Sequence, residues 1–165
     1  MYCESNTLGV GLVLCSAEIV ILRPLGRERE KARLPMTHVL IVDDDADTRK
    51  YLKALLLEEG YTVSEAADGH EGLRLMRDAA RPLVVLLDYL MPEFNGFDVL
   101  RAVHADPGLF QRHSVVIMTS FGRIIPFELA RFMTVADIPL LRKPFDIDQV
   151  LEAVGDAAER LMSYS

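Results

Sequence analysis

Acidic, hydroxyl and basic residues follow four apolar runs of the sequence, at the point where each run ends. In chain order these residues are Asp43, Asp44, Asp45, Asp88, Thr119, Arg142 and Lys143. Each run is short enough to predict a strand. In parallel α/β sheets the functional crevice lies beyond the carboxyl ends of the strands. We therefore expect at least three carboxylates, one hydroxyl and one ammonium to meet at one edge of a sheet.

This combination of groups suits phosphate chemistry at a carboxylate. Neighbouring carboxylates raise each other's pKa unless a cation offsets their charge. Mg²⁺ prefers oxygen ligands, binds one or two carboxylates, and keeps positions for water and phosphate. It would also screen Asp88 as this carboxylate attacks a phosphorus atom that carries negative oxygens. Lys143 would supply a mobile positive charge, and Thr119 a hydroxyl donor, for the phosphoryl oxygens.

Taken singly, these residues predict little chemistry. An aspartate after a strand is typical of a turn or a helix cap, and we expect Asp45 or Asp47 to cap the first helix in this way. Alone, Lys143 would be a solvated loop residue and Thr119 a hydroxyl at a strand end. The functional interpretation therefore depends on the whole set.

Five short apolar runs alternate with five amphipathic stretches from Met36 onward. The predicted strands are residues 39–42, 61–64, 83–87, 115–118 and 138–141. The predicted helices are residues 46–59 with Gly60 at the end, a helix that begins at Asp68 with Glu71 reaching back, a helix after Gly96, residues 127–133, and residues 146–161. This alternation predicts an α/β fold with a doubly wound parallel sheet and helices on both faces.

The charge distribution argues against direct nucleic-acid binding. The chain carries −7 and residues 1–35 carry +1, which leaves −8 for residues 36–165. Phosphate backbones repel such a body and attract basic patches. The two cysteines, Cys3 and Cys15, both lie near the N-terminus, so the rest of the chain has no disulfide framework. We expect a reducing, cytoplasmic setting.

The chain divides into an extension, residues 1–35, and a single domain, residues 36–165. Residues 8–22 are largely apolar, but Glu18 interrupts them and the run is too short for a membrane span. Only Glu4 is charged before this run, whereas a signal peptide has basic residues there. We expect the extension to be poorly ordered, and we expect no output domain after the last helix.

Four stretches together resemble the receiver domain of two-component response regulators, of which the chemotaxis regulator is the simplest member. They are Val39-Leu-Ile-Val-Asp-Asp-Asp45, Leu86-Leu-Asp-Tyr-Leu-Met-Pro92 with Asn95-Gly96, Val116-Ile-Met-Thr-Ser120, and Lys143-Pro-Phe145. The resemblance covers about residues 38–160, with the motifs in the family's order. It implies the flavodoxin-like strand order 2-1-3-4-5.

The resemblance also implies roles for the candidate residues. Asp88 would be the phosphoacceptor, and Thr119 and Lys143 would hold the phosphoryl group. Asp44 would bind Mg²⁺ directly and Asp43 through water, and the carboxylate of Asp88 and the backbone carbonyl of Leu90 would be further ligands. The bond between Lys143 and Pro144 would be cis, as nearly all cis peptides precede proline.

The implied partners are proteins. A sensor histidine kinase or a histidine phosphotransferase would donate the phosphoryl group, and the phosphorylated domain would bind a downstream effector protein. Such a domain is a phosphoacceptor rather than an enzyme in its own right, although it assists its own phosphorylation and dephosphorylation. The cognate kinase, the target and any dimerisation on activation stay open.

Three positions depart from the family pattern. The family often has Tyr or Phe three residues before its lysine as a rotameric switch, and this chain has Leu140. The two positions that commonly tune loss of the phosphoryl group are Leu90 and Phe121. Neither side chain can orient a hydrolytic water by hydrogen bonding, so we predict slow self-dephosphorylation.

The same residues argue against three other classes of protein or site and leave one alternative open. Haloacid-dehalogenase-like phosphatases need Thr or Val where this chain has Asp47 after Asp43-x-Asp45. A calcium loop that began at Asp43 would need Gly in place of Thr48 and Glu in place of Ala54. A flavodoxin-like cofactor protein needs a phosphate-cradling loop where the three acids stand. The remaining alternative is a pseudo-receiver, a constitutive protein-binding module that is never phosphorylated.

Overall fold

A computed structural model describes residues 37–120 and 126–163 of the chain. The predictions for residues 1–35 and for Phe121 lie outside these described residues, and the predicted domain boundary stays a prediction.

Five strands form one parallel sheet in the order β2-β1-β3-β4-β5, which confirms the predicted fold class. The strands are β1 His38–Val42, β2 Thr62–Ala66, β3 Leu83–Asp88, β4 Ser114–Thr119 and β5 Leu140–Arg142. All pairings are parallel, so the carboxyl ends of β1, β3 and β4 lie side by side. Asp88 pairs with Met118 in this register, and Thr119 pairs with Arg142.

The described residues form six helices rather than the five predicted. They are α1 Ala46–Glu58, α2 Gly69–Asp78, α3 Gly96–His104, α4 Pro107–Arg112, α5 Phe127–Ala136 and α6 Ile147–Ser163. The additional helix is α4, which Asp106 caps and Pro107 begins. Its six residues are too few to show a helical period, and Asp-Pro-Gly is typical of a turn as well as of a helix start.

Side chains of the central strands alternate between two buried faces. One face includes Leu40, Val85 and Ile117, which form a core with residues of α2, α3, α4 and α5. The other face is covered by α1 and α6. Every residue of β3 is buried, which explains why its sequence has no polar alternation.

Helix caps agree with the sequence in most places. Asp45 caps α1, and Gly60 follows that helix with φ 86°. Asp68 accepts from the backbone N–H of Glu71, while the Glu71 carboxylate accepts from Ala67, one residue earlier than a capping box requires.

The position of β5 differs from the prediction. The strand begins at Leu140 rather than at Ile138, because the Ile138 N–H donates to Met133 at the end of α5. Pro139 has no N–H to give to a neighbouring strand. A short apolar run could not indicate where the helix end gives way to the strand.

Within the described ranges, none of the helices combines the length and the apolar character needed to cross a membrane.

Candidate functional site

The first two aspartates after β1 lie in different environments. Asp43 is fully buried, and its backbone N–H donates to Ala66 of β2. Asp44 is exposed. Asp45 turns away to cap α1, where its carboxylate accepts from the Asp47 N–H at 2.9 Å. The predicted capping role of Asp45 is therefore confirmed, which leaves Asp43 and Asp44 for the site.

Asp88 ends β3 beside these two acids. Its side chain is almost completely buried, because β3 lies between β1 and β4. Carboxylate oxygens of Asp43, Asp44 and Asp88 all lie within 4.8 Å of one another. The structure thus brings together the three carboxylates that the sequence predicted at this edge.

Lys143 approaches the carboxylates from the end of β5. Its ammonium Nζ lies 2.7 Å from Oδ2 of Asp43 and 3.0 Å from Oδ1 of Asp88. Its backbone N–H donates to the carbonyl of Thr119 at 2.8 Å, which ties the β5 end to the β4 end. The peptide bond between Lys143 and Pro144 is cis, as expected. Thr119 is fully buried at the same edge.

Burial and like charge act together on Asp88. Burial raises the pKa of its carboxyl above the ordinary 3.8, and the charges of Asp43 and Asp44 raise it further, while Lys143 opposes both effects. Burial alone would lower the pKa of Lys143, but its contacts with Asp43 and Asp88 outweigh burial and raise that pKa. One ammonium thus serves two buried carboxylates, and the site retains excess negative charge.

The donor set fits Mg²⁺. Three carboxylates within a few ångströms supply the hard oxygen ligands that this cation prefers. Oδ1 of Asp88 is buried and touches the Lys143 ammonium, yet it has no hydrogen bond with good alignment. A buried carboxylate oxygen in this state is available to a cation, because it would give up no established hydrogen bond.

The loop between β3 and α3 is held close to Asp88 by small residues. A Cβ on Gly96 would lie 2.3 Å from the backbone oxygen of Asp88, so only glycine allows this approach. A Cβ on Gly69 of α2 would lie 2.3 Å from the Phe94 oxygen, and the His70 ring stacks on Phe94 at 4.3 Å. These contacts fix the loop that contains Leu90, whose side chain is about half exposed.

Sequence reasoning missed one residue next to the acids. Nη1 of Arg49 donates to the carbonyl oxygens of Asp43 at 2.7 Å and of Asp44 at 3.2 Å. A signal was present, since the dipole at a helix N-terminus disfavours positive side chains and Arg49 is the fourth residue of α1. A basic residue in that place indicates a specific acceptor nearby.

Comparison with known proteins agrees with this geometry. Residues 39–155 match the family described as "Response regulator receiver domain". The chain is 31% identical over 116 residues to sporulation initiation phosphotransferase F of Bacillus subtilis, covering 70% of this chain and 89% of that protein. It is 35% identical over 124 residues to the transcriptional regulatory protein GlrR of Escherichia coli, covering 74% of this chain. The chain spans only about a quarter (26%) of GlrR's length.

Solved structures show the same fold. The chemotaxis protein CheY4 of Vibrio cholerae superposes with a TM-score of 0.63 at 27% identity, covering 74% of this chain and 98% of that one. A CheY-like receiver domain protein of Methanospirillum hungatei gives a TM-score of 0.64 at 27% identity, with 78% and 97% covered. From its sequence match and its fold, this chain belongs to the response regulator receiver domain family.

Proposed function

We propose that Asp88 accepts a phosphoryl group from a histidine kinase or a histidine phosphotransferase, and that this changes which protein the domain binds. The observation that carries the proposal is the position of Asp88. Its buried carboxylate lies within 4.8 Å of those of Asp43 and Asp44, and Lys143 Nζ is 3.0 Å away. A nucleophile, a cation site and a positive charge for phosphoryl oxygens are thus available in one place.

The chemical step transfers a phosphoryl group between two residues. A carboxylate oxygen of Asp88 attacks the phosphorus of a phosphohistidine and forms an O–P bond. The N–P bond breaks, its electron pair stays on the histidine nitrogen, and Asp88 becomes an acyl phosphate. Lys143 and Thr119 would hold the phosphoryl oxygens, as an ammonium and a hydroxyl are both hydrogen-bond donors.

Mg²⁺ would be held by the carboxylates of Asp43, Asp44 and Asp88 together with the backbone carbonyl of Leu90. When bound, the cation supplies positive charge that offsets the oxygens of the carboxylates and of the phosphoryl group. This chain's own residues keep the site selective, since oxygen donors alone favour Mg²⁺ over metals that prefer sulfur or nitrogen.

The signal would travel through the residues that hold the phosphoryl group. Thr119 ends β4 and Lys143 follows β5, and the Lys143 N–H already binds the Thr119 carbonyl. Drawing both side chains toward a phosphorylated Asp88 would move the loops after these strands. The surface of α5, β5 and α6 would then change shape. Reversing a population from 1:99 to 99:1 takes about 5.5 kcal/mol, which several charge-assisted contacts can provide.

The proposed partners are proteins rather than nucleic acids. Residues 36–165 carry −8, and this charge would repel a phosphate backbone. Some relatives have names that include DNA binding, such as the DNA-binding response regulator MtrA of Mycobacterium tuberculosis, and this chain spans 31% of that protein's length. A cytoplasmic location and slow self-dephosphorylation, the latter argued from Leu90 and Phe121, stay predictions.

Incubation with Mg²⁺ and acetyl phosphate, followed by intact-mass measurement, tests the proposal. We expect one phosphoryl adduct on the native chain and none on Asp88→Asn, which removes the nucleophile at nearly constant size. Asp68→Asn is the matched control, because asparagine caps a helix as well as aspartate does. Prior addition of a chelator should abolish the native adduct.

The constitutive-module alternative predicts a different result. A folded native chain that gains no adduct from acetyl phosphate or from a cognate kinase would overturn the phosphoacceptor role. An adduct that persists in Asp88→Asn would place the modification on another residue.

A further inference from the structure

The Arg49 side chain contacts the backbone of the acidic cluster rather than its carboxylates. One nitrogen, Nη1, donates to two successive carbonyl oxygens, those of Asp43 at 2.7 Å and Asp44 at 3.2 Å. The side chain is only 17% exposed. Arg49 thus adds positive charge near the site through backbone contacts, without a hydrogen bond to the carboxylates of Asp43 or Asp44.

A second set of charged groups also holds the Arg49 side chain. Nε of Arg49 lies 3.9 Å from Oε1 of Glu65 on β2, and the other Glu65 oxygen binds the Lys53 ammonium. Glu65 pairs with Ile41 in the sheet, so it rests on a rigid part of the fold. Since Arg49 itself lies on α1, the guanidinium is fixed by a helix, a strand and the loop between β1 and α1.

This anchorage matters because Asp44 has little else to hold it. Within residues 37–120 and 126–163, no side-chain hydrogen bond or ion pair restrains the exposed Asp44 carboxylate. Asp43 is better held, since its Oδ1 accepts the Asp45 N–H at 3.0 Å and its Oδ2 meets Lys143. The direction of the Asp44 side chain therefore depends on the orientation of the backbone at Asp43 and Asp44, whose carbonyl oxygens accept from Arg49.

We infer that Arg49 is a positioning residue for the metal site, which it serves by fixing the backbone of Asp43 and Asp44 so that their carboxylates face Asp88. The inference rests on the proposed Mg²⁺ site. Its physical basis is that outer contacts which orient metal ligands contribute strongly to metal affinity.

Charge and geometry predict opposite effects when Arg49 is replaced. If Arg49 acted only through its charge, its loss would strengthen Mg²⁺ binding, because a cation near the site repels another. If Arg49 fixes the ligands, its loss weakens binding, because Asp44 must then be ordered by the metal itself. The sign of the change in affinity thus separates the two roles.

The experiment measures Mn²⁺ binding by the electron paramagnetic resonance signal of the free ion, with Mg²⁺ as competitor. We expect Arg49→Gln to weaken the binding of both metals about tenfold, which is the lower end of the loss in affinity for residues that orient metal ligands. Arg49→Lys should recover part of the affinity, since an ammonium can reach one carbonyl. Arg74→Gln is the matched control, because Arg74 has the same charge, is 60% exposed and, among the residues that the structure describes, pairs only with Glu71 and Asp78 on its own helix.

Salt concentration provides a second readout. A loss that comes from geometry should persist at high salt, where long-range charge effects are screened. Unchanged or tighter binding in Arg49→Gln would overturn the inference, as would a loss that Arg74→Gln reproduces. If Arg49→Gln does not fold, Arg49→Lys decides, because it keeps the charge and loses one of the two carbonyl contacts, and we expect it to weaken metal binding roughly threefold. Unchanged affinity in that variant would count against the inference.

The native chain separates this inference from the proposed function. A native chain that binds neither metal would remove the proposed metal site itself. A native chain that binds both metals, with variants that bind equally well, would remove the role of Arg49 and leave the phosphoacceptor proposal standing.

Discussion

Polar side chains are buried at both ends of the parallel sheet, but the two ends satisfy them differently. At the amino end, Nδ1 of His113 accepts the Leu83 N–H at 3.1 Å, and Nε2 lies 3.0 Å from the Met76 carbonyl, to which it donates. At the carboxyl end, Asp43 and Asp88 share the single ammonium of Lys143. The amino end is a closed network, whereas the carboxyl end leaves excess negative charge.

The difference shows how one fold divides stability from reactivity. Buried neutral groups whose hydrogen bonds are all made stabilise a structure, and they leave no unsatisfied donor or acceptor for a ligand to bind. Like charges buried together oppose folding, and they persist in sites where a cation or a substrate relieves them. The pKa values follow this division, since burial lowers the pKa of His113 to about 4 and raises the pKa of Asp88.

The largest expected effect is at the amino end. His113→Leu leaves the Leu83 N–H and the Met76 carbonyl buried without their partner, so the free energy of unfolding should fall by about 3 kcal/mol. His113→Asn is the graded control, because its amide oxygen can still accept from Leu83, and it should lose about half as much. Urea unfolding measures both variants. A loss below about 1 kcal/mol in His113→Leu would mean that the hydrogen bonds of His113 do not stabilise the amino end of the sheet.

Acid should affect the two ends with opposite sign. The pKa of His113 is about 4 when folded and ordinarily 6.5, so the unfolded chain binds the proton more tightly. The stability that His113 contributes is complete above pH 6.5 and falls by about 2 kcal/mol on going to pH 5. The raised pKa of Asp88 acts the other way, since protonation there relieves a buried charge and favours the folded state.

Urea unfolding of the native chain and of His113→Asn across pH 5 to 7.5 isolates the histidine contribution. The variant should lack the native decline in this range. NMR of the His113 ring gives a direct check, and a ring that becomes protonated near pH 6.5 would contradict the expected shift.

The smallest expected effect is a gain in stability when the Asp88 carboxylate is removed from the carboxyl end of the sheet. Asp88→Asn removes a buried charge from beside Asp43 and Asp44, so without Mg²⁺ the variant should be about 1 kcal/mol more stable than the native chain. Metal at a hundredfold excess over its Kd stabilises the native chain by about 2.7 kcal/mol and should reverse that order. Thermal unfolding with and without Mg²⁺ measures this, with Asp68→Asn as the control. A native chain that stays more stable in both conditions would break the contrast between the two ends.

Much of the fold was predictable because its signals are local and repeated. Runs such as residues 83–87 have no polar alternation, which is what a strand buried on both faces requires. Predictions failed where a sequence pattern was too short, or where the same pattern is typical of more than one kind of structure. Helix α4 has only six residues, and the start of β5 depends on a hydrogen bond between Ile138 and the end of α5.

The candidate site was predictable to the extent that it follows strand ends. Asp43, Asp44, Asp88 and Lys143 converge because parallel strands place their carboxyl ends at one edge. Arg49 was not found in this way, because it lies within α1 rather than at a strand end and its acceptors are backbone carbonyls.

The sequence by itself determined most of the elements, the polar residues that follow the strands and the chemistry that their side chains can do, because those properties depend on neighbours along the chain. The tertiary structure alone decided the electrostatics. It buried Asp43 and Asp88 together, gave both the Lys143 ammonium, and placed His113 between Leu83 and Met76. Such effects depend on distance and on exclusion of water between groups up to 100 positions apart, and no local pattern records them.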